Sequence, residues 1–174
     1  ENLMEMLEHG QLDVALSYKP LQSYDDIDSH ILFNSNLCVI AGKDNPVAKK
    51  ERIRLAELEN LPLVLPAKGL QARNAFDSLL YGQNFKFDVR LEINDLSMLL
   101  DMVSRTNLVT LLSGATIHSN KNFVAISLDH PHSEMQGSFH LLKGTYCKNA
   151  TKEFLKMLVE NNSFLMAMEA IANR

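Results

Sequence analysis

The chain has 174 residues, 46% of them hydrophobic, and a formal net charge of -4. That fits one domain or two small lobes with a real core, and it is too apolar for a disordered segment. Scattered Lys and Arg on an acidic balance argue against a grip on a phosphate backbone, and no apolar run reaches the roughly 18 residues of a membrane span.

Leu3, Met6 and Leu7 share a helical face, with Gly10 as its cap. Leu12 to Tyr18 is a nearly continuous apolar run, which predicts a buried parallel strand. Lys19 to Ser29 is polar and reads as a loop. Two short strands follow, His30 to Phe33 and Leu37 to Ala41, around Asn34-Ser35-Asn36. Asp44-Asn45-Pro46 is turn chemistry, and Leu55 to Leu58 is a short helical turn. Leu63 to Leu65 is a buried strand bracketed by Pro62 and Pro66, where proline is tolerated.

Ala72, Ala75, Phe76, Leu79 and Leu80 make a helical stripe over Gln71 to Tyr81. Phe85 to Ile93 alternates as a strand with one buried face. Asp95 caps a helix whose inner face is Leu96, Leu99, Leu100 and Val103. Leu108 to Leu112, Phe123 to Leu128 and Ser138 to Leu142 are strands. Ala150 to Val159 is a helix, and Asn161 to Arg174 carries a further amphipathic pattern. Strands alternate with helices, so the expected class is α/β with largely parallel sheets. Cys38 and Cys147 sit in apolar strand-like settings and read as reduced small hydrophobes, not a disulfide framework.

The order of these stations resembles the effector-binding domain of LysR-type transcriptional regulators. The residues that carry the likeness begin with Gly10-Gln11-Leu12-Asp13-Val14-Ala15-Leu16, Asn45-Pro46-Val47-Ala48 and the Leu55-Ala56-Glu57-Leu58 turn. Pro62-Leu63-Val64-Leu65, Val109-Thr110-Leu111-Leu112 and the closing Lys152-Glu153-Phe154-Leu155 helix continue it. The likeness spans roughly Asn2 to Glu160. The stretch from Met102 to Leu112, with Ala125-Ile126-Ser127-Leu128, is most similar to the cyanate-operon-regulator branch. It departs from the family at Thr106 and Leu108, where most members have Gly, and at Ser113, where they have Pro.

The resemblance implies a two-lobe fold of the type II periplasmic-binding-protein kind, with two crossing strands near Leu37 to Ala41 and Ser138 to Leu142. The first lobe would combine residues 1–37 and 141–174, and the second would hold 38–140. It implies a small-molecule effector between the lobes, a homodimer or homotetramer with the Leu96 to Val103 helix at an interface, and a cytoplasmic protein. It also implies that a strand–helix–strand unit, and a winged helix-turn-helix that reads DNA, precede residue 1. The chain then reads as a fragment that senses and is not an enzyme. The alternative is a free-standing or periplasmic binding protein of the same fold. An enzyme on this fold, such as a dehydratase, is a third reading.

Open α/β sheets bind ligands at the carboxyl ends of their strands, and helix N-termini favour anions. Lys68, Gln71 and Arg73, at one strand-to-helix junction, are therefore candidate ligands for an anionic effector, or solvated loop charges. Asn94 and Ser97 flank a second junction, where Asp95 is explained by capping alone. Ser17 and Tyr18 end the first strand, and Thr106 replaces a family glycine near the ligand. His130-Pro131-His132 lacks the further ligands that zinc demands, so no metal is expected. The eight methionines read as core or dimer filler. No Gly-x-Ser-x-Gly elbow, phosphate-binding loop or dinucleotide fingerprint is present, and no cofactor is expected.

Overall fold

The computed structural model describes residues 3–18, 23–118 and 120–161. They form two compact units, one taking the residues before Ser35 and those from Gln136 onward, the other Ser35 to Met135. The boundaries fall within β2 and near the start of β8.

In the first unit, the apolar face of α1 (Leu3–Glu8) buries Met4 and Leu7 against Ala15 and Ile27, with Leu12 and Tyr24 at the margin. β1 (Ala15–Tyr18) pairs antiparallel with β8 (Glu134–Leu142), Ala15 opposite His140 and Tyr18 opposite Gly137. The apolar run at Leu12 to Tyr18 therefore marks a strand of a different orientation from the parallel one expected. β8 lies between β1 and β2 (Ile27–Gly42). α4 (Asn149–Asn161) turns Thr151 and Leu158 inward. The amphipathic pattern expected from Asn161 to Arg174 lies, beyond Asn161, outside the described residues.

β2 is one strand of 16 residues, not two short ones, and it begins within the segment read as a loop. Asn34-Ser35-Asn36 is turn-like in composition, yet pairing on either side keeps it extended. In the second unit β2 runs antiparallel to both β6 (Thr110–Ser113) and β7 (Phe123–Leu128). All six residues from Leu37 to Gly42 are buried there. β3 (Arg52–Ile53) is parallel to β7, and β4 (Pro62–Pro66) is parallel to β5 (Asp88–Ile93). A parallel bridge from Leu63 to Val109 joins β4 to the start of β6. β3 to β7 thus share one direction, as expected, and β2 alone opposes them.

α2 (Gln71–Leu79) buries Phe76 and Leu79. α3 (Leu96–Arg105) buries Leu99, Leu100 and Val103 against Cys38, Ile40, Val64, Leu108 and Leu112. The strand pattern at Phe85 to Ile93 yields only Asp88–Ile93, and it keeps no buried face: Val89 and Leu91 are exposed. Cys147 lies in the turn before α4, not in a strand.

Thr110 is fully buried in β6 opposite Ile40, and its hydroxyl has no hydrogen-bond partner among the described residues. A buried unsatisfied hydroxyl costs about 1–3 kcal/mol. Thr110→Val keeps the shape and removes that cost. Its denaturation midpoint is expected to rise, by about 1 kcal/mol in stability, and an unchanged or lower midpoint would refute the accounting.

Candidate functional site

Because β4, β5 and β6 run the same way, their carboxyl ends gather along one edge of the second unit. Pro66 pairs with Ile93, and the Ala67 amide donates to the Ile93 carbonyl at 2.9 Å. Counting on from the Leu63–Val109 bridge puts Ala67 level with Ser113. With strands roughly 4.8 Å apart, the row from Asn94 through Ala67 to Ser113 spans about 10 Å, the width of a small organic molecule.

The edge brings four of the expected residues together. Gly69, at φ 91°, makes the left-handed turn that starts α2 directly after β4. Leu70 at the N-cap offers no side-chain hydrogen bond, so the first-turn amides of α2 have no side-chain cap. Lys68 and Gln71 flank that terminus, both exposed. Asn94 and Ser97 flank the start of α3, whose N-terminus is closed by Asp95 accepting from the Met98 amide at 2.7 Å. Among the described residues Lys68 has no ion-pair partner.

Arg73 behaves differently. Its guanidinium is buried and donates to Asp77 at 2.8 Å, to Glu92 at 2.9 Å and to the Pro66 carbonyl at 3.1 Å. Burial opposes its charge, but the Asp77 and Glu92 carboxylates outweigh that and hold its pKa above the ordinary value. It ties α2 to β4 and β5.

Two hydroxyls at this edge were not anticipated. Ser113 closes β6 and caps the 3-10 turn Gly114–Ile117. Its hydroxyl lies 2.8 Å from that of Ser35 on β2, and the Ala115 amide donates to both oxygens, at 3.2 Å to Ser35 and 3.3 Å to Ser113. Gly114 permits this approach: a Cβ there would stand 3.1 Å from Cys38 Sγ. Burial pushes the Cys38 thiol up, against a hydrogen bond with the Gly114 backbone that lowers it. Ser113 was legible, since it ends a strand and caps a turn as Asp95 does. Ser35 was not, because its place depends on a pairing across 78 residues.

The structure does not bring Thr106 to this edge. It follows α3 at the opposite end of the helix, where its hydroxyl donates to the Met102 carbonyl at 2.7 Å and accepts from the Leu108 amide at 3.1 Å. Two open hollows lie at that opposite edge. One of about 470 Å³ has Glu59, Asp88, Arg90 and Asn107 in its wall, and one of about 430 Å³ has Lys43, Asn45, Arg105 and Thr106. The second abuts the carbonyl end of α3, whose dipole repels anions. In the first, Arg90 is spent on Asp88 at 2.7 Å.

Ser17 and Tyr18 belong to the first unit. The Ser17 hydroxyl donates to the Tyr18 carbonyl at 2.9 Å and lies 3.0 Å from His140 Nε2, while the Tyr18 ring meets Phe33 edge-on with centroids 6.0 Å apart. The His130 and His132 rings are tilted by 56° with centres 5.8 Å apart, and no group of three potential metal ligands converges among the described residues.

Residues 1–163 match the model of the LysR substrate binding domain. Over 94 residues, the chain is 30% identical to the HTH-type transcriptional activator CmpR of Synechocystis, covering 54% of this chain and 31% of that protein. The regulatory domain of Synechocystis PCC6803 CcmR, solved with 2-PG, superposes with a TM-score of 0.77 at 21% identity, over 90% of this chain and 76% of that one. The effector-binding domain of QuiR, solved with shikimate, gives 0.73 at 18% identity, over 93% and 77%.

Proposed function

We propose, from the premise that this chain belongs to the LysR substrate binding domain family, that it senses a small organic anion at the edge formed by Lys68, Gln71, Asn94, Ser97 and Ser113. The family is one of effector-binding domains of transcriptional regulators, not of enzymes, and the fold is its α/β, type II periplasmic-binding-protein-like fold. The observation that carries the proposal is the convergence of three parallel strand ends on a helix N-terminus that lacks a side-chain cap, beside Lys68, which has no ion-pair partner among the described residues. Relatives of this fold hold molecules of fitting size, 2-PG in CcmR and shikimate in QuiR.

In this reading the effector binds at this edge of the second unit, and Ser17 and Tyr18 of the first unit remain candidate contacts. It shifts the chain between two states only by its differential affinity for them. The response passes to a winged helix-turn-helix outside this sequence in a cytoplasmic homo-oligomer. The exposed apolar side chains Val89 and Leu91 on β5 and Met98 on α3 support oligomer contacts through these elements. Among the described residues no helix is long and apolar enough to cross a membrane.

The test is a thermal-shift screen of small organic molecules on the chain, followed by calorimetry on Asn94→Leu and Gln71→Leu. Both side chains are exposed, so the variants are expected to keep the wild-type melting temperature while losing tenfold or more in affinity for whatever binds. Unchanged affinity in both, or a screen in which nothing binds, would overturn the proposal.

A further inference from the structure

We infer that the effector is a hydroxylated monocarboxylate and not a phosphate ester or dicarboxylate; this rests on the proposed site and names its ligand class. Two observations carry it.

The first is a hydrogen-bond inventory. The Ser35 and Ser113 hydroxyls bring two hydrogens to one another, and one of these fills the 2.8 Å bond between them. The Ala115 amide takes a lone pair on each oxygen. Whichever way the shared hydrogen points, one hydroxyl hydrogen is left over, on an oxygen whose lone pairs include one already occupied by that amide. Ser113 is only 2% exposed, whereas Ser35 is half-buried, so the spare donor faces outward from Ser35. With Ser113 donating to it, Ser35 accepts twice and can only donate. It selects an acceptor oxygen such as that of a carboxylate.

The second is charge. Along the β4–β5 part of the edge stand two cations, Lys68 and Arg73, against three carboxylates, Asp77, Glu92 and Asp95. Arg73 is engaged by two of these and Asp95 by the α3 amide. Lys68 is left to neutralise one negative charge. A dianion would bring a second charge to a surface that already carries an excess of carboxylates. Gln71, Asn94 and Ser97 each donate and accept, which suits ligand hydroxyls.

The experiment is calorimetric titration of the chain at pH 7.5 with glycolate, D-glycerate and quinate as hydroxy-monocarboxylates, against the dianions glycerol 3-phosphate, glycerol 2-phosphate and malate. At least one monocarboxylate is expected to bind at least tenfold more tightly than every dianion. Ser35→Ala, which leaves Ser113 to hold the Ala115 amide, and Lys68→Gln, at an exposed side chain, are each expected to weaken that binding about tenfold. Tighter binding of a dianion overturns the inference; if Asn94→Leu abolishes that binding, the sensor site itself stands. An affinity unchanged in Ser35→Ala, or no binding by any of the six, also overturns it. The sensor reading is tested separately, by the wider screen.

Discussion

Arg73→Ala is expected to destabilise the chain by about 3 kcal/mol, seen as a lower denaturation midpoint at unchanged steepness. The guanidinium is buried while its partners Asp77 and Glu92 remain partly exposed. Its loss leaves the Pro66 carbonyl without this donor and two carboxylates facing one another across the vacated volume. Water reaches both carboxylates, which puts the cost at the low end for a broken buried pair. Arg73→Lys keeps the charge but not the fork that spans three acceptors, so it should recover less than half of the loss. Sequence alone suggested the opposite, a binding defect in a stable fold. A variant with wild-type stability and weakened effector affinity would restore that view and return Arg73 to the ligand site.

The contrast shows what was legible. The stripes Leu96, Leu99, Leu100, Val103 and Phe76, Leu79 located α3 and α2 because burial of one helical face leaves a 3.6-residue period in the chain. Asp95 announced its cap because that bond is local. Strand orientation was not legible for β1, whose apolar run is the same whether its neighbour is parallel or antiparallel. The 16-residue β2 was hidden because pairing with distant strands overrode turn-like Asn34-Ser35-Asn36. Lys68, Gln71, Asn94 and Ser97 were candidates by one rule, that strand carboxyl ends collect ligands, and the fold sets them at one such edge. Arg73 satisfied the same rule, yet nothing local reveals that Glu92, nineteen positions on, consumes it. Ser35 failed for the same reason in reverse.

His140 carries the second large expected effect, in the first unit. It is fully buried in β8, between a β1 serine and a β2 serine. Since the Ser17 hydroxyl spends its hydrogen on the Tyr18 carbonyl, it must accept from His140 Nε2, which therefore carries the proton. Nδ1 then accepts from the Ser29 hydroxyl at 2.8 Å. The neutral ring is satisfied on both sides, and a second ring proton would place a charge in a buried site and turn the Ser29 hydroxyl from donor to acceptor. Burial accordingly pushes the imidazole pKa down, and a hydrogen bond with the Ser17 backbone offsets only part of this. Above the ordinary histidine value of 6.5 both folded and unfolded chains hold the ring neutral, and this group adds no pH dependence. Below it the unfolded chain takes up a proton that the folded one refuses. Stability then falls by up to about 1.4 kcal/mol per pH unit, until the depressed folded value is passed. Glu57, held down to about 2 by Lys50 and the Arg54 amide, titrates in a separate and more acidic window. His140→Gln should therefore flatten the stability profile just below pH 6.5 relative to wild type. His140→Ala should cost about 3 kcal/mol at pH 7.5, from the cavity and the two stranded hydroxyls. Parallel profiles for wild type and His140→Gln from pH 7.5 to 5 would mean that the folded ring takes up its proton as readily as the unfolded one, and would refute a buried ring held neutral between Ser17 and Ser29.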